Sequence, residues 1–154
     1  MTFTGTIEAR VDAKGRVFFP AQFRKQLAAG TERFVLARDV FQPCLVVYPY
    51  AVWQAEVAAL SARLNRWDRT QAMILRQFQC DVEVFELDAS GRFLIPRRYL
   101  SAAEIGQDVR FIGLGDRLEL WSVAQAEAAF MPPADFAQAL EAALRPSGCE
   151  HKGE

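Results

Sequence analysis

The sequence predicts an α+β fold, mainly β, made of two pseudo-symmetric halves with peripheral helices. The main observation is a repeat: the segment 12–20, DAKGRVFFP, recurs 76 positions later as 88–96, DASGRFLIP. A second is the segment 82–87, where apolar and acidic residues nearly alternate, as in a half-buried strand. With 154 residues, 51% of them hydrophobic, the chain can form one domain or two small halves.

Each half is predicted to begin with a strand, over 6–11 and 82–87, followed by a tight turn. Within the turn, Asp can accept hydrogen bonds from the backbone two residues on, and Gly tolerates a positive φ. The returning strands, 17–19 and 93–95, end at Pro20 and Pro96, because proline cannot donate to a ladder and suits a helix start.

Short helices should follow over 21–29 and 97–105, closed by Gly30 and Gly106, and two more strands and a helix complete each half. The 3- and 4-residue apolar spacing predicts an amphipathic helical stretch over 50–78, with a break near 65–68. Helices over 123–130 and 134–144 come last.

We expect the chain to consist of five segments: unit 1 (1–50), a helical connector (51–80), unit 2 (81–124), C-terminal helices (125–145) and a disordered tail (146–154).

Charge is unevenly distributed along the chain, although its net value is only −1. Residues 1–100 hold 14 Lys and Arg against 10 Asp and Glu, whereas residues 101–154 hold 4 against 9. The local field of a basic patch decides binding to a polyanion, so the overall charge does not exclude a nucleic-acid partner. No apolar run of about 20 residues and no signal-peptide pattern is present, so we expect a cytoplasmic protein without a membrane partner.

The D-A-K-G-R turn, with Pro20 and Arg24, resembles the signature of the MraZ family of bacterial transcriptional regulators. The likeness extends to Gly5, to CLVVYP at 44–49 followed by Trp53, and to LELW at 118–121. It implies two AbrB-like swapped-hairpin halves that interleave into one small β-barrel, and barrels that assemble into a homo-oligomeric ring. It also implies binding to tandem promoter repeats upstream of the division and cell-wall gene cluster.

The two copies of the motif differ in their cations. Unit 2 has Ser90 where unit 1 has Lys14, and Leu100 where unit 1 has Arg24. Unit 1 is therefore expected to be the fuller basic surface.

The candidate DNA-binding residues lie on or beside the turns: Arg10, Lys14, Gly15, Arg16, Arg24, Lys25 and Arg92. Arginine offers a planar fork that suits phosphate or guanine, and lysine a point charge. The alternative is structural: Arg16 and Arg92 pair with Asp12 and Asp88 to fix the turns, and the other cations are ordinary solvated surface.

Three further groups have two interpretations each. Arg97 and Arg98 either face DNA or are simply solvated. Four arginines form a basic stripe that is either the solvent-facing side of a helix or a surface that pairs with an acidic neighbouring subunit: Arg63, Arg66, Arg69 and Arg76. Aromatic residues form the core or subunit contacts, or else stack on single-stranded bases: Trp53, Trp67, Phe78, Phe85 and Trp121.

An enzymatic function is disfavoured because the only histidine, His151, lies in the expected tail. Three scattered cysteines give neither a disulfide framework nor a metal knuckle, and Cys149 with His151 does not make a metal site. We expect no catalytic residue, metal, cofactor or small-molecule substrate. The predicted function is sequence-specific regulation on double-stranded DNA at the nucleoid; the alternatives are a structural ring that binds DNA non-specifically, and an enzyme on a related barrel.

Overall fold

The computed structural model describes residues 1–146 and has a mixed α+β architecture that is mainly β. Its elements, in chain order, are β1 (Thr6–Arg10), β2 (Arg16–Phe18), α1 (Ala21–Arg24), β3 (Arg33–Arg38), β4 (Leu45–Pro49), α2 (Tyr50–Arg63), α3 (Arg69–Cys80), β5 (Val82–Glu86), β6 (Arg92–Leu94), α4 (Arg97–Ala102), β7 (Asp108–Gly113), β8 (Leu118–Ser122), α5 (Val123–Ala128) and α6 (Pro133–Ala143). Residues 147–154, which include Cys149, His151 and nearly all of the predicted tail, lie outside the described residues.

Six strands form one antiparallel sheet with the order β1-β7-β8-β4-β3-β5. When each strand is replaced by its counterpart in the other unit, the same order results, read from the opposite edge of the sheet. The predicted pseudo-symmetry is therefore present. The first strand of each unit pairs with a strand of the other: β1 with β7, and β5 with β3. Within residues 1–146 the sheet is open, with β1 and β5 at its ends, so the single closed barrel is not confirmed.

The remaining strands, β2 and β6, form a separate two-stranded antiparallel ribbon, again with one strand from each unit. The ribbon covers the sheet through aromatic side chains. Phe93 of β6 lies 4.6 Å from the Phe85 ring and 6.5 Å from the Phe111 ring, between centroids. Phe19, just after β2, lies 5.2 Å from Phe34 in the same way. These contacts bury both units in one hydrophobic core, which fixes where the ribbon lies.

The helices after the ribbon strands are shorter than predicted. Helix α1 ends at Arg24 instead of residue 29, because Gln26 and Leu27 donate to carbonyls only three residues back and the chain leaves the α conformation. Helix α4 ends at Ala102 instead of residue 105, and the positive φ that follows it falls on Glu104, at 54°, rather than on Gly106.

The predicted break in the central helical stretch is confirmed. Helix α2 ends at Arg63, and α3 begins after Asp68, whose side chain accepts a 3.0 Å hydrogen bond from the Gln71 backbone N–H. The rings of Trp53 and Phe78 stack at 5.0 Å and hold the two helices together. No helix within residues 1–146 has the length and apolar character to cross a membrane.

Candidate nucleic-acid interface

The two D-A-x-G-R turns, residues 12–16 (the first turn) and 88–92 (the second turn), have the same hydrogen-bonded geometry. The Asp12 carboxylate accepts from the backbone N–H groups of Lys14 and Arg16, each at 2.9 Å. Asp88 does the same for Ser90 and Arg92, each at 2.9 Å. The glycine at the fourth position has a φ of 88° in the first turn and 87° in the second, a conformation that side chains rarely adopt.

The arginine that ends each turn also binds its aspartate. Arg16 Nε donates to Asp12 Oδ2 at 2.9 Å, and Arg92 Nε donates to Asp88 Oδ2 at 3.0 Å. This is the pairing that the structural interpretation expects. Only Nε is used, however: within residues 1–146 the terminal nitrogens of both guanidiniums have no hydrogen-bond partner. The ion pair therefore orients each guanidinium but leaves its two terminal nitrogens without a hydrogen-bond partner in this part of the chain.

The same hydrogen bonds stabilise the charged form of each aspartate. The pKa of Asp12 lies below its ordinary value of 3.8, chiefly because the Arg16 backbone N–H donates to the carboxylate. Burial opposes this shift. The pKa of Asp88 is lowered in the same way, chiefly by the Arg92 backbone N–H. The hydrogen bonds of each carboxylate thus stay within its own turn.

The lowered pKa values predict how turn stability depends on pH. An aspartate whose folded pKa is depressed stabilises the protein above its unfolded pKa, and that contribution is lost as the pH falls through the folded value. The native chain should therefore exceed an Asp12→Asn, Asp88→Asn variant in free energy of unfolding at about pH 6, and the difference should shrink below about pH 3.8. Urea titrations across this range measure it; a difference that does not change with pH would contradict the carboxylate role.

One face of the ribbon, called here the outer face, consists of Arg16, Phe18, Arg92 and Leu94. In the register Arg16 opposes Leu94 and Phe18 opposes Arg92, while Val17 and Phe93 between them are buried. Phe18 and Leu94 are 57% and 54% exposed. The Arg92 guanidinium lies 5.8 Å from the centre of the Phe18 ring, within the range of a cation–π contact. Two arginines thus occupy opposite ends of a partly apolar surface.

Arg24 does not belong to the turn of its own unit. A Cβ added to Gly91 would lie 2.6 Å from an Arg24 terminal nitrogen, so this side chain extends over the second turn. Its counterpart Leu100 lies in the same way beside Gly15 of the first turn. The reason is the β2–β6 pairing, which brings the helix after one strand next to the turn before the other. Both turns therefore receive cations, and the expectation that unit 1 is the fuller basic surface stays a prediction.

The first turn likewise gains a cation from unit 2. Lys14 and Arg97 line one groove of about 660 Å³ beside this turn, together with Glu104, whose carboxylate accepts a 2.7 Å hydrogen bond from Gln125. Lys14, Arg24 and Arg97 are exposed and form no ion pair in the part of the chain that is described. Arg98, by contrast, donates to Glu83 at 2.9 Å and to the Tyr99 hydroxyl at 3.1 Å. Of the two adjacent arginines, Arg97 is the one that is free to bind a phosphate.

The other candidate residues lie at the margin or below the surface. Arg10 lies 3.5 Å from Asp108, and both side chains are well exposed, so the pair contributes little. Lys25 is exposed next to Arg24. Gly15, included among the DNA-binding residues, is itself buried; its part is to allow the turn, and an added Cβ there would meet the Ile95 carbonyl at 3.0 Å.

Phe18 and Leu94 are not among the predicted site residues. The prediction placed the three apolar residues after each turn in a returning strand and assigned neither face of that strand to the solvent. The two-residue period of a strand was the available signal, because a solvent-facing Arg16 places Phe18 on the same side.

The other candidate groups lie elsewhere. Trp53 and Trp121 are buried and Phe78 and Phe85 half-buried, as the core interpretation predicts, whereas Trp67 is 82% exposed. The basic stripe is divided, because Arg63 ends α2, Arg66 lies in the connection, and Arg69 and Arg76 belong to α3.

A small polar cluster brings Asp39, Cys44 and Glu119 together, with possible ligand atoms within 4.8 Å of one another. Burial and the two carboxylates raise the pKa of the Cys44 thiol well above its ordinary value, so the thiol stays protonated. The Asp39 carboxylate meanwhile accepts from the backbone N–H groups of Phe41 and Gln42. A deprotonated thiol is what a metal requires, and we interpret this cluster as structural hydrogen bonding.

Comparison with known proteins gives one consistent result. The family model described as "MraZ protein, putative antitoxin-like" matches residues 2–77 and 82–143. Three relatives, each named a transcriptional regulator MraZ, come from Phocaeicola vulgatus, Bacteroides thetaiotaomicron and Bacteroides fragilis. They are 55%, 52% and 50% identical to this chain and cover 92%, 90% and 93% of it, over 92%, 90% and 91% of their own lengths. The match is not to an enzyme family.

Proposed function

The chain belongs to the MraZ family, and from that premise we propose that it is a transcriptional regulator that binds double-stranded DNA through the outer face of its ribbon. The observation that carries the proposal is the pair of guanidiniums, Arg16 and Arg92, each aimed by its aspartate with its terminal nitrogens unengaged within residues 1–146. A two-stranded antiparallel ribbon is narrow enough to enter the major groove of B-DNA.

Each part of the site has a distinct role in this proposal. Arg16 and Arg92 bind base edges, for which the acceptor pair O6 and N7 of guanine is the best match to the fork. Phe18 and Leu94 add apolar contact with thymine methyl groups on the same face. The surrounding cations bind phosphates and orient the ribbon in the groove: Arg10, Lys14, Arg24, Lys25 and Arg97.

The small reach of one chain supports an assembly. Along the ribbon, the glycine of one turn lies four residues from the glycine of the other turn. This separation is about 14 Å at 3.4 Å per residue. That distance corresponds to about four base pairs, too few to specify one promoter. We therefore propose that AbrB-like swapped-hairpin halves are carried in a homo-oligomeric ring. This ring would bind tandem promoter repeats upstream of the division and cell-wall genes, at the nucleoid in the cytoplasm.

Sequence specificity is tested by titrating the full chain, at one fixed salt concentration, with DNA from upstream of its own gene and with a scrambled fragment of equal length. We expect the native fragment to bind about 10³-fold or more tightly, the lower end of the usual range for a specific binder. Equal affinities would contradict sequence-specific regulation and support a ring that binds DNA non-specifically.

Cations at both turns predict a particular salt dependence. On a fragment with a single repeat, which one subunit contacts, replacing Lys14 or Arg24 with alanine should each lower the slope of log K against log salt concentration by about one, because one phosphate contact is lost. Replacing both should lower it by about two, since they lie at different turns. Arg98→Ala is the matched control, and the ion pair of Arg98 with Glu83 predicts little change. A slope that falls equally for all three variants would contradict the assignment.

A further inference from the structure

The outer face of the ribbon is nearly, but not fully, two-fold symmetric. On this face Arg16 of β2 lies opposite Leu94 of β6. The counterpart of this pair is Arg92 of β6 opposite Phe18 of β2. A rotation that exchanges the two strands therefore places one arginine on the other and leaves the charges of the face unchanged. It places Phe18 on Leu94, so these two side chains are what distinguishes one end of the outer face from the other.

This symmetry affects the direction in which the ribbon binds DNA. The two strands of a duplex are antiparallel, and a fully two-fold symmetric ribbon presents the same contacts to an asymmetric element after it is turned by 180°. In the proposed function, neighbouring subunits bind tandem repeats that all point the same way. Each ribbon then needs a preferred direction on its repeat, and that preference must come from a difference between the two ends of the outer face.

Phe18 supplies such a difference through its contact with Arg92. The Arg92 guanidinium lies 5.8 Å from the centre of the Phe18 ring, and its Nε also donates to Asp88 at 3.0 Å. The ring and the carboxylate thus hold the same guanidinium from two sides of its own ribbon. The Arg92 side chain is 27% exposed as a result, and its terminal nitrogens remain without a hydrogen-bond partner in residues 1–146.

The other end of the outer face lacks an equivalent contact. Leu94 lies towards the glycine of the first turn, where a Cβ built on Gly15 would be 3.4 Å from the Leu94 Cδ1. In the part of the chain that is described, the Arg16 guanidinium binds Asp12 and has no aromatic ring over it. The Arg16 side chain is 34% exposed. Arg16 is therefore held by one contact, whereas Arg92 is held by two.

The cations around the turns do not supply the same information. Lys14 and Arg97 lie beside the first turn and Arg24 lies over the second, so a cation is present at each end of the ribbon. Phosphates flank a site at both ends, and contacts to them carry no sequence information directly. The direction relative to the base sequence therefore depends on the side chains of the outer face.

We propose that Phe18 is a positioning residue for Arg92 and thereby sets the direction in which the ribbon binds an asymmetric DNA repeat. Such a repeat offers its better acceptor pair, the O6 and N7 of a guanine, nearer to one end. Placing Arg92 at that end gives tighter binding than placing Arg16 there, because a side chain that is already held loses less freedom on binding. The inference rests on the proposed function and deepens it.

The test maps the direction of binding by DNA cleavage. The full chain carries Cys80→Ser and Cys149→Ser, retains the buried Cys44, and receives an iron chelate on Ala13→Cys, at an exposed position of the first turn. The DNA is an end-labelled promoter fragment with one repeat. Cleavage should be about 2- to 5-fold stronger on one side of the repeat, the preference that an exposed cation–π contact provides. With the chelate on Ala89→Cys, the counterpart in the second turn, the stronger cleavage should move to the other side.

Exchange of the two apolar side chains tests the role of Phe18 directly. Phe18→Leu combined with Leu94→Phe should reverse the stronger side for the chelate in the first turn. Phe18→Leu alone should leave the two sides nearly equal. Both positions are more than half exposed, so these variants leave the hydrophobic core intact. Lys14→Ala is the control for charge, and it should weaken binding without changing the stronger side.

Equal cleavage of both sides by the native ribbon, or a stronger side that stays the same in the exchanged chain and in Phe18→Leu, would overturn this proposal. The proposed function has a separate outcome. A native chain that binds the promoter fragment no more tightly than scrambled DNA would contradict sequence-specific binding itself, whereas specific binding with an unchanged direction would contradict only the role of Phe18.

Discussion

Replacing Arg16 with alanine is expected to weaken binding to the native promoter fragment by about 1 to 3 kcal/mol, or about 5- to 150-fold in Kd. The reason is that its terminal nitrogens, unengaged within residues 1–146, are placed to bind a base edge as a fork. Arg92→Ala should cost a similar amount, because Arg92 has the same contact with its own aspartate, at 3.0 Å instead of 2.9 Å. Anisotropy titrations with specific and scrambled DNA measure both losses.

Two controls separate base reading from support of the turn. Arg16→Lys keeps the charge but loses the fork, so it should recover binding to scrambled DNA more than binding to the specific fragment. Oligomeric mass and thermal unfolding should be unchanged in all three variants. If Arg16→Ala dissolves the assembly or unfolds the chain, the pairing with Asp12 is structural and the assignment of Arg16 to DNA is wrong.

The two turns were predictable from the sequence because their geometry is local. An aspartate that caps its own turn and a glycine with a positive φ need only neighbours, and both copies of D-A-x-G-R show them. The ends of α1 and α4 were not predictable in the same way. Phe23 and Tyr99 are fully buried in the shared core, and tertiary packing of this kind overrides the glycine signals at Gly30 and Gly106.

The composition of the site depends on long-range pairing that periodicity does not encode. Arg24 and Gly91 are far apart in the sequence, and they meet because β2 pairs with β6 and not with its own hairpin partner. The resemblance to the MraZ family implied that the halves interleave, which the exchange of β1 and β5 between units matches in part. It did not indicate which turn each cation joins. Unit-by-unit counting of charges therefore assigned Arg24 to the wrong turn.

The spacing of promoter repeats is expected to have the largest effect on affinity. One ribbon is only as long as about four base pairs, and a single contact set of a few cations typically binds DNA with a Kd of about 10⁻⁴ to 10⁻⁶ M at physiological salt. When neighbouring subunits of one ring bind neighbouring repeats, the second contact becomes intramolecular, which raises avidity by about 10² or more. A fragment with one repeat should therefore bind about 10²-fold more weakly than one with several.

Rotating the repeats tests the same idea without removing any contact. Inserting about 5 base pairs between two repeats turns the second to the opposite side of the duplex, since a helical turn is about 10 base pairs. Binding should then fall nearly to the single-repeat value, and inserting about 10 base pairs should restore part of it. Gel-shift titrations measure each case; equal affinity for one-repeat, multi-repeat and respaced fragments would show that one chain suffices for binding and that the ring does not act through avidity.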